Sequence, residues 1–363
     1  MQKTIKIKLL PSQEQGEALS MTILKFNEVC NWLSVQAFLL KEFNRFCLQK
    51  AIYQECRKLN PGFSSQLVVR AIDVVCQAYK KDRLRERKFR RNSAVVYDQR
   101  VIRRKGNLVS LWTVDGRIDV PMSEWGLDEV GLTIRQSDLV CANGKWFLLV
   151  PVIKEDKPLL KVKGFLGVDL GEVNLAVTSD GELFSGGKVE RKRKKYLKHR
   201  RSLQEKGTKS AKRRLKKVGK KESRFRRDVN HQISKRIVQR AKGTSRGIAL
   251  EELKGVTRRT TVRKAQRARH MGWAFAQLRT FIEYKSQEEG VPVIKVSARN
   301  TSRMCSRCGH IDEGNRKSQA VFACLRCGFQ MNADMNAAIN ISARAAVNQP
   351  IAERVLSSAS PRL

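Results

Sequence analysis

Three acidic residues follow or precede apolar segments that could bring them together in a fold. Asp169 ends the apolar run FLGV, Glu251 ends IAL, and Asp334 precedes the helical pattern MNAAINI. An acid that follows a buried strand lies at the edge of the sheet, where ligands commonly bind in open α/β sheets. Three such carboxylates can hold two Mg²⁺ ions about 3.5–4 Å apart. One ion would activate a water molecule, and the other would stabilise a departing 3′ oxygen.

Each acid taken alone also has a structural interpretation. Asp169 could open a turn, Glu251 could cap a helix, and Asp334 could favour the first turn of a helix through its dipole. Glu252 is an alternative to Glu251, although its side chain would point to the opposite face if the strand continued by one residue. The prediction of a metal site therefore depends on all three acids meeting at one edge of a sheet.

Four cysteines in two CxxC pairs, with 15 residues between the pairs, indicate a second site: Cys305, Cys308, Cys324 and Cys327. Two such pairs at this spacing are typical of a tetrahedral structural zinc site. Gly309 and Gly328 follow the pairs and suit tight turns that direct backbone N–H groups at the thiolates. A redox function would need only one pair, and a disulfide fits poorly with a reducing compartment. One structural Zn²⁺ ion is predicted.

The remaining cysteines lie among apolar neighbours and are interpreted as small core residues; they are Cys30, Cys47, Cys56, Cys76 and Cys141. The four histidines have no ligand spacing with one another; they are His199, His231, His270 and His310. For His231 and His310, a structural role or a contact to phosphate is favoured over catalysis.

The composition indicates a polyanionic partner. The 363 residues include 74 Lys or Arg against 34 Asp or Glu, a formal net charge of +40, and 41% are hydrophobic, enough for two or three folded domains. No apolar run approaches the roughly 18 residues of a membrane-spanning helix. The first ten residues lack the apolar block of a signal peptide. We expect a cytoplasmic, nucleoid-associated protein that binds nucleic acid and not membrane.

The positive charge is concentrated in three segments. Lys188–Arg227 contains 21 Lys or Arg against 3 Glu, a net charge of +18, and the other segments are Lys80–Arg91 and Arg258–Arg269. A single run of this kind is usually a solvated helix face, but three of them in so basic a chain favour contacts with phosphates. Within the first segment, five residues are predicted to bind phosphates: Lys192, Arg193, Lys194, Arg213 and Arg214.

The first part of the chain predicts one strand followed by helices. KTIKIKLL alternates as a strand does, and Ser12 and Gln15 have the spacing of a capping box that starts a helix. Asn60-Pro61-Gly62 is a stop signal, and a second helix is expected from about Ser65. The two helices should pack together. Residues 16–90 are therefore assigned to a helical recognition insertion.

The next part of the chain is predicted to be rich in β-strands. Alternating apolar patterns surround Asp115-Gly116 and Asn143-Gly144, and both dipeptides suit two-residue hairpin turns. Residues 1–15 and 91–160 are assigned to one basic, β-rich lobe, which could hold a nucleic-acid duplex.

From residue 161 the pattern changes to strands that alternate with helices, as in an α/β sheet. KGFLGVDLGEVNLAVTSDGELFSGG predicts three strands, the basic stretch after it predicts helices with a break near Gly207, and a helix is expected from about Met271 to Glu288. VPVIKVSA predicts another buried strand. Residues 161–300 and 331–345 are assigned to one α/β domain, 301–330 to a zinc finger, and 346–363 to a C-terminal tail.

Three segments taken in order resemble the TnpB family: GVDLGEVNLAV, IALEELKGV and TSRMCSRCG…FACLRCGFQMNADMNAAINI. TnpB proteins are insertion-sequence-encoded, RNA-guided DNA endonucleases related to type V CRISPR effectors. The front half is also similar, in KIKLLPSQEQ and in VVYDQRVIRRKGNLVSLWTVDGRIDVP. The most specific feature is the order of the motifs, in which the double CxxC precedes the third acid.

The resemblance implies an RNase H-like (RuvC-type) nuclease domain with an inserted zinc finger. It also implies that the β-rich lobe of residues 1–15 and 91–160 is a wedge-like, nucleic-acid-binding lobe similar to an oligonucleotide-binding β-barrel, with residues 16–90 as its helical insertion. By position, Asp169, Glu251 and Asp334 match the catalytic acids that hold two Mg²⁺ ions, and the four cysteines match the ligands of one Zn²⁺ ion. The resemblance further implies a guide RNA, a short adjacent DNA motif read by the front lobe, and cleavage of both strands of the target DNA.

One departure from the family pattern and two alternatives stay open. Ala333 stands where the family commonly has an arginine, which leaves open a local contact to phosphate or carboxylate. A nuclease-inactive, RNA-guided repressor is one alternative, although all three acids are present. A compact type V CRISPR effector is the other, and a CRISPR array beside the gene, instead of transposon ends, would distinguish it. Monomer and homodimer are both compatible with the sequence.

Overall fold

The first strand, β1 (Gln2–Leu9), buries Ile5, Ile7 and Leu9 and exposes the lysines between them, as the alternating pattern predicts. The structure, a computed structural model, describes residues 2–124, 136–252 and 275–347. β1 is one of four strands in an antiparallel sheet of order β1-β7-β6-β2, whose other members are β2 (Val95–Tyr97), β6 (Ser137–Ala142) and β7 (Lys145–Ile153).

A second sheet in the same region contains β3 (Ile102–Lys105), β4 (Leu108–Thr113) and β5 (Gly116–Pro121). The prediction of a hairpin here is confirmed, but its loop is Val114-Asp115, because Thr113 pairs with Gly116. The β6–β7 hairpin turns at Asn143-Gly144 as predicted. Both of these residues have positive φ, 55° and 72°, as a type I′ turn requires.

Three helices pack with these strands: α1 (Gln13–Leu39), α2 (Arg45–Leu59) and α3 (Ser65–Tyr79). Ser12 and Gln15 form the predicted capping box, and α1 contacts α3 as expected. The stop at Asn60 ends α2 and not α1. This division was not predicted from the sequence, although Asn44 caps α2 by accepting a hydrogen bond from the Phe46 N–H at 2.9 Å.

The chain divides into two compact units, Met1–Glu155 and Asp156–Leu363, each with its own apolar core. The second unit is built on a five-stranded mixed sheet of order β10-β9-β8-β11-β12. Its strands are β8 (Phe165–Asp169), β9 (Asn174–Thr178), β10 (Leu183–Ser185), β11 (Gly247–Glu251) and β12 (Val293–Val296). β8, β11 and β12 run parallel, whereas β9 and β10 form an antiparallel edge.

The three strands predicted from KGFLGVDL onwards are confirmed as β8, β9 and β10, and the buried strand that ends at Glu251 is confirmed as β11. The prediction that VPVIKVSA is a buried strand was wrong in its degree of burial. β12 is an edge strand, so one of its sides is open to solvent, and Lys295 is exposed.

Two helices form the basic hairpin, which we define as α4 (Gly187–Lys206) and α5 (Lys209–Gly243). The predicted break is present, since Gly207 ends α4 in the left-handed conformation with φ 61°. α5 then packs along α6 (Phe275–Glu289). Both α5 and α6 contribute apolar residues to the core beneath the sheet, among them Ile237, Leu278 and Ile282.

The finger lies between β12 and the last helix, α7 (Ala333–Val347), and contains the short hairpin of β13 (Val321–Ala323) and β14 (Gln330–Asn332). β14 leads directly into α7, so the finger and the helix that carries Asp334 are continuous. Arg258–Arg269 and residues 348–363 of the predicted tail lie outside the described residues. Among the described helices, none combines the length and apolarity needed to cross a membrane.

Candidate metal centre

Asp169 and Glu251 are the last residues of neighbouring parallel strands. Leu250 of β11 pairs with Val168 of β8, so the two acids leave the sheet side by side at its carboxyl edge. Asp334 lies in the first turn of α7, which packs against β8. The structure thus brings the three predicted acids to one edge of the sheet. Glu252, the alternative to Glu251, is exposed.

A close backbone contact brings α7 to β8. A Cβ atom on Gly167 would lie only 1.9 Å from the carbonyl oxygen of Ala338 and 2.7 Å from the nitrogen of Ser342, so no larger residue fits there. Ser342 also donates a hydrogen bond to the carbonyl of Phe165 at 2.6 Å. Because Gly167 is two residues from Asp169, this contact sets how close the strand acid comes to the helix acid.

The electrostatics of Asp169 are those of an acid in a crowded anionic site. Burial is the main reason that its pKa is raised to about 8, and the negative charge of Glu251 is the second. Asp334 raises the pKa further, whereas the Arg316 guanidinium and the backbone N–H of Leu170 lower it. A bound cation would offset the same repulsion, so the residues present fit a divalent metal.

Burial also raises the pKa of Glu251, against the opposing effects of the Thr301 hydrogen bond and of Arg344 and Arg316. The oxygens of the three acids are not as tightly gathered as the thiols described below. Within the described parts of the chain, only the four cysteines place three or more ligand atoms all within 4.8 Å of one another. Two ions about 3.5–4 Å apart need ligands spread over a wider space than one ion does.

Two polar residues that the sequence analysis did not select hold the carboxylate of Asp334. Asn174, the first residue of β9, donates to Oδ2 at 2.9 Å, and Arg316, on the finger, donates to Oδ1 at 3.3 Å. The position of Arg316 between the CxxC pairs gave no signal for this contact. Ala333, where the family commonly has arginine, is buried in the finger core, and Arg316 supplies a guanidinium at Asp334 instead.

The four predicted zinc ligands form one cluster. The sulfurs of Cys305 and Cys327 lie 3.7 Å apart, and those of Cys308 and Cys324 lie 3.6 Å apart. Zn–S bonds of about 2.3 Å in a tetrahedron place sulfurs about 3.8 Å apart. The cluster therefore has the dimensions of a four-cysteine zinc site.

Two equivalent turns shape this cluster. Gly309 and Gly328 have φ of 74° and 68°, which only glycine adopts readily, and each donates a hydrogen bond to the carbonyl of the first cysteine of its pair. Burial raises the pKa of Cys324, but hydrogen bonds from the backbone N–H groups of Cys327 and Arg326 and from the thiols of Cys327 and Cys308 together outweigh it, and the pKa falls to about 6.

The pKa of Cys308 moves in the opposite direction. The backbone N–H of His310 lowers it, but burial and hydrogen bonds with the other three thiols raise it to about 12. Four neighbouring sulfurs cannot all be thiolates without a cation, and a zinc ion would supply that charge.

The other cysteines follow the core interpretation only in part. Cys30, Cys56 and Cys76 are buried, whereas Cys47 and Cys141 are exposed, so the prediction was wrong for these two. His231 stacks on Phe281 with ring centroids 4.0 Å apart, which fits the structural role favoured for it.

The basic hairpin distributes its charges unevenly. Lys192 lies 3.8 Å from the centroid of the Phe225 ring, and Arg193 bonds both carboxylate oxygens of Glu190, at 2.7 and 2.8 Å. Four of the five predicted phosphate-binding residues are exposed: Lys192, Lys194, Arg213 and Arg214. Lys192 therefore also contacts the second helix, and Arg193 is paired within its own helix, which the run of charge in the sequence could not indicate.

Two family models match separate parts of the chain. Residues 149–254 match the OrfB_IS605 model, described as a probable transposase, and residues 275–341 match the Cas12f1-like TNB domain. The first range contains Asp169 and Glu251, and the second contains the four cysteines and Asp334.

Proteins of similar sequence come from bacteria and archaea. The CRISPR-associated endodeoxyribonuclease Cas12f1 of Sulfoacidibacillus thermotolerans is 33% identical over 219 residues, 55% of this chain and 50% of the relative. A TnpB-like protein of Methanocaldococcus jannaschii is 26% identical over 220 residues, 55% of this chain and 78% of the relative. The chain spans about half the length of the Cas12f1 relatives that it matches.

A solved structure shares the fold. The cryo-EM structure of a Cas12f1–sgRNA–target DNA complex aligns with a TM-score of 0.64 at 16% identity, over 91% of this chain and 83% of that one. By its fold, the chain is a mixed α/β protein like the Cas12f1 chain of that complex. More particularly, separate parts of it match the OrfB_IS605 model and the Cas12f1-like TNB domain, and the resemblance to the TnpB family is confirmed.

Proposed function

We propose that this chain is an RNA-guided, Mg²⁺-dependent endonuclease that cuts double-stranded DNA next to a short adjacent motif. The observation that carries the proposal is the meeting of Asp169, Glu251 and Asp334 at the carboxyl edge of one sheet. The names of the relatives, which include endodeoxyribonucleases and TnpB-like proteins, support the reaction class. The transposon-associated role follows from the OrfB_IS605 match.

In this proposal the sheet of the second unit is an RNase H-like (RuvC-type) nuclease domain into which the finger is inserted. Asp169, Glu251 and Asp334 would hold two Mg²⁺ ions, which when bound activate the attacking water and stabilise the departing 3′ oxygen. Asn174 and Arg316 keep the Asp334 carboxylate in place through their hydrogen bonds.

The direct test of the function is to purify the full chain and sequence the RNA that remains bound to it. The RNA segment that differs between targets is then replaced by a new sequence, and cutting of a matching DNA library is measured with Mg²⁺. We expect one defined RNA species and cutting that follows the new sequence. A preparation that binds no specific RNA, or that cuts without regard to it, would overturn the proposal.

The basic hairpin is proposed to bind phosphates of the guide RNA or of the RNA–DNA duplex. Its outer surface carries exposed charges that the hairpin's own packing does not use: Lys194, Arg213, Arg214, Lys216 and Lys217. Contacts to phosphate carry little sequence information, so their loss should weaken the binding of all guides alike.

Replacement of these five residues by Gln is therefore expected to make the salt dependence of RNA affinity shallower. Each phosphate contact contributes about 0.7–0.9 to the slope of log affinity against log salt, so the slope should fall by up to about 3.5–4.5. Fluorescence titrations of RNA at several salt concentrations measure it. The matched control exchanges Lys and Arg at the same positions and keeps the charge, and an unchanged slope in the Gln variant would contradict the proposal.

A groove in the first unit is proposed to contact the adjacent DNA motif. Gln66, Asp98 and Arg100 line a cavity of about 240 Å³ beside α3. Arg100 donates to the amide oxygen of Gln66 at 3.3 Å, while Gln66 donates to the carboxylate of Asp98. Amide and guanidinium groups held in this way are the ones that read base edges, since each offers a defined pattern of donors and acceptors.

Gln66→Ala and Arg100→Ala are expected to change which adjacent sequences permit cutting. Loss of one base contact is worth about 1–3 kcal/mol, or roughly 5–150-fold in preference at one position. The measurement is cutting of a library in which the bases beside the target are randomised. The control is Gln13→Ala, because Gln13 is exposed and lies at the start of α1. Identical sequence preferences in all variants would contradict the proposed contact between the groove and the adjacent DNA motif.

A further inference from the structure

The segment Ser297–Met304, between β12 and the first cysteine pair, is held by α7. Asn336 and Asn340 donate to the carbonyl of Met304 at 2.8 and 2.7 Å, and Arg344 donates to the carbonyl of Ser297 at 2.7 Å. The three side chains are four residues apart, so they lie on one face of the helix. The helix that carries Asp334 thus also fixes the path of this segment.

Thr301 is the residue of this segment that reaches the candidate metal site. It is 3% exposed, its carbonyl accepts a hydrogen bond from Asn340 at 2.8 Å, and its hydroxyl contacts Oε1 of Glu251. The same hydroxyl lies 3.2 Å from the carbonyl oxygen of Ala298. A hydroxyl has one proton to donate, and a carboxylate is a stronger acceptor than a neutral carbonyl. The proton therefore goes to Glu251.

This hydrogen bond has a consequence for the geometry of Glu251. A glutamate has three rotatable bonds, and Glu251 stands at the end of its strand, where neighbouring strands restrain it less than residues in the middle. With Oε1 held by Thr301, rotation of the carboxylate is restrained, and among the described residues no hydrogen bond is made to Oε2. Asn340, on the helix that carries Asp334, holds the backbone of Thr301. The orientation of Glu251 therefore depends on the position of this helix.

We propose that Thr301 is a positioning residue that orients the Glu251 carboxylate for metal binding. The inference rests on the proposed function, in that it takes Glu251 to be a metal ligand. Residues that hydrogen-bond a metal ligand typically change metal affinity or activity by 10–100-fold when they are replaced. Thr301 does not contact the reacting groups itself, and its effect passes through Glu251.

The experiment uses the full chain with its bound RNA and compares wild type, Thr301→Val, Thr301→Ser and Glu251→Gln. Valine has the shape of threonine without the hydroxyl, and serine restores the hydroxyl. Mn²⁺ binding is measured by electron paramagnetic resonance in the absence of DNA, and the Mg²⁺ dependence of cutting is measured separately. Zinc content and thermal unfolding report whether each variant is folded, and if valine lowers them, Thr301→Ala is compared with serine instead.

We expect Thr301→Val to bind Mn²⁺ about 10–100-fold more weakly than wild type and to need correspondingly more Mg²⁺ for cutting. Thr301→Ser should stay within about threefold of wild type, because the donated hydrogen bond is kept. Wild-type affinity in Thr301→Val, or equal defects in the valine and serine variants, would overturn the inference while the metal site stands. If Glu251→Gln binds Mn²⁺ as wild type does, the proposed metal site fails and the inference fails with it.

Discussion

Replacement of Asp169, Glu251 or Asp334 by its amide is expected to lower Mg²⁺-dependent cutting by about 10²–10³-fold, since removal of charge stabilisation at a reacting centre has effects of this size. The amide keeps the shape of the acid but lacks the charge that holds a divalent ion. The measurement is single-turnover cutting of a matching DNA by Asp169→Asn, Glu251→Gln and Asp334→Asn at fixed Mg²⁺.

RNA and DNA binding should be retained in these three variants, and so should the folded state. The charges of Glu251 and Asp334 raise the pKa of Asp169 by repulsion, so neutralising one of them relieves the site and does not strain it. Glu252→Gln is the matched control, because this residue is exposed and adjacent in sequence. Full activity in Glu251→Gln with loss of activity in Glu252→Gln would transfer the assignment to Glu252.

Loss of the zinc ion is expected to have the second largest effect. We expect one Zn²⁺ per chain, and we expect Cys308→Ser to lose it, to unfold the finger and to reduce cutting strongly. The finger core consists of a few residues around Phe322 and the cysteines themselves, which is too little apolar surface to fold alone. Zinc binding by such sites amounts to about 10–16 kcal/mol of apparent free energy.

The finger is connected to Asp334 in two ways, one covalent and one polar, so unfolding of the finger is expected to reduce cutting. β14 leads from the finger directly into α7 and Asp334, and Arg316 reaches the Asp334 carboxylate from within the finger. Elemental analysis, limited proteolysis and cutting assays measure the three expected results. Cys47→Ser is the control, since this cysteine is exposed in the first unit. A zinc-free preparation that cuts normally would contradict the prediction.

The sequence by itself determined the features that depend on neighbours along the chain. The order of acids and cysteines, the capping box at Ser12 and the turn at Asn143-Gly144 are all local patterns, in which a few adjacent residues impose the backbone conformation. The strand ends at Asp169 and Glu251 follow from short apolar runs in the same way. The resemblance to TnpB proteins rests on the same motifs.

Only the tertiary structure decided which residues meet from distant parts of the chain. Gly167 must lack a side chain because the backbone of α7 passes against it, and this depends on residues 338–342, far along the sequence. Arg316 reaches the acids from between the two cysteine pairs, and Thr301 reaches them from the segment before the first pair. A sequence pattern records the type of a side chain and its local period, but packing between separate elements decides its partners.

The basic hairpin also separates what the local sequence determines from what only tertiary packing decides. The charge run predicted helices and a basic surface, because composition and the absence of turn residues are local properties. It could not distinguish Lys194 from Lys192, which is exposed as well but also lies over the ring of Phe225 in the other helix. That difference arises only when two helices pack face to face, since a ring contact of this kind needs a residue from each of them.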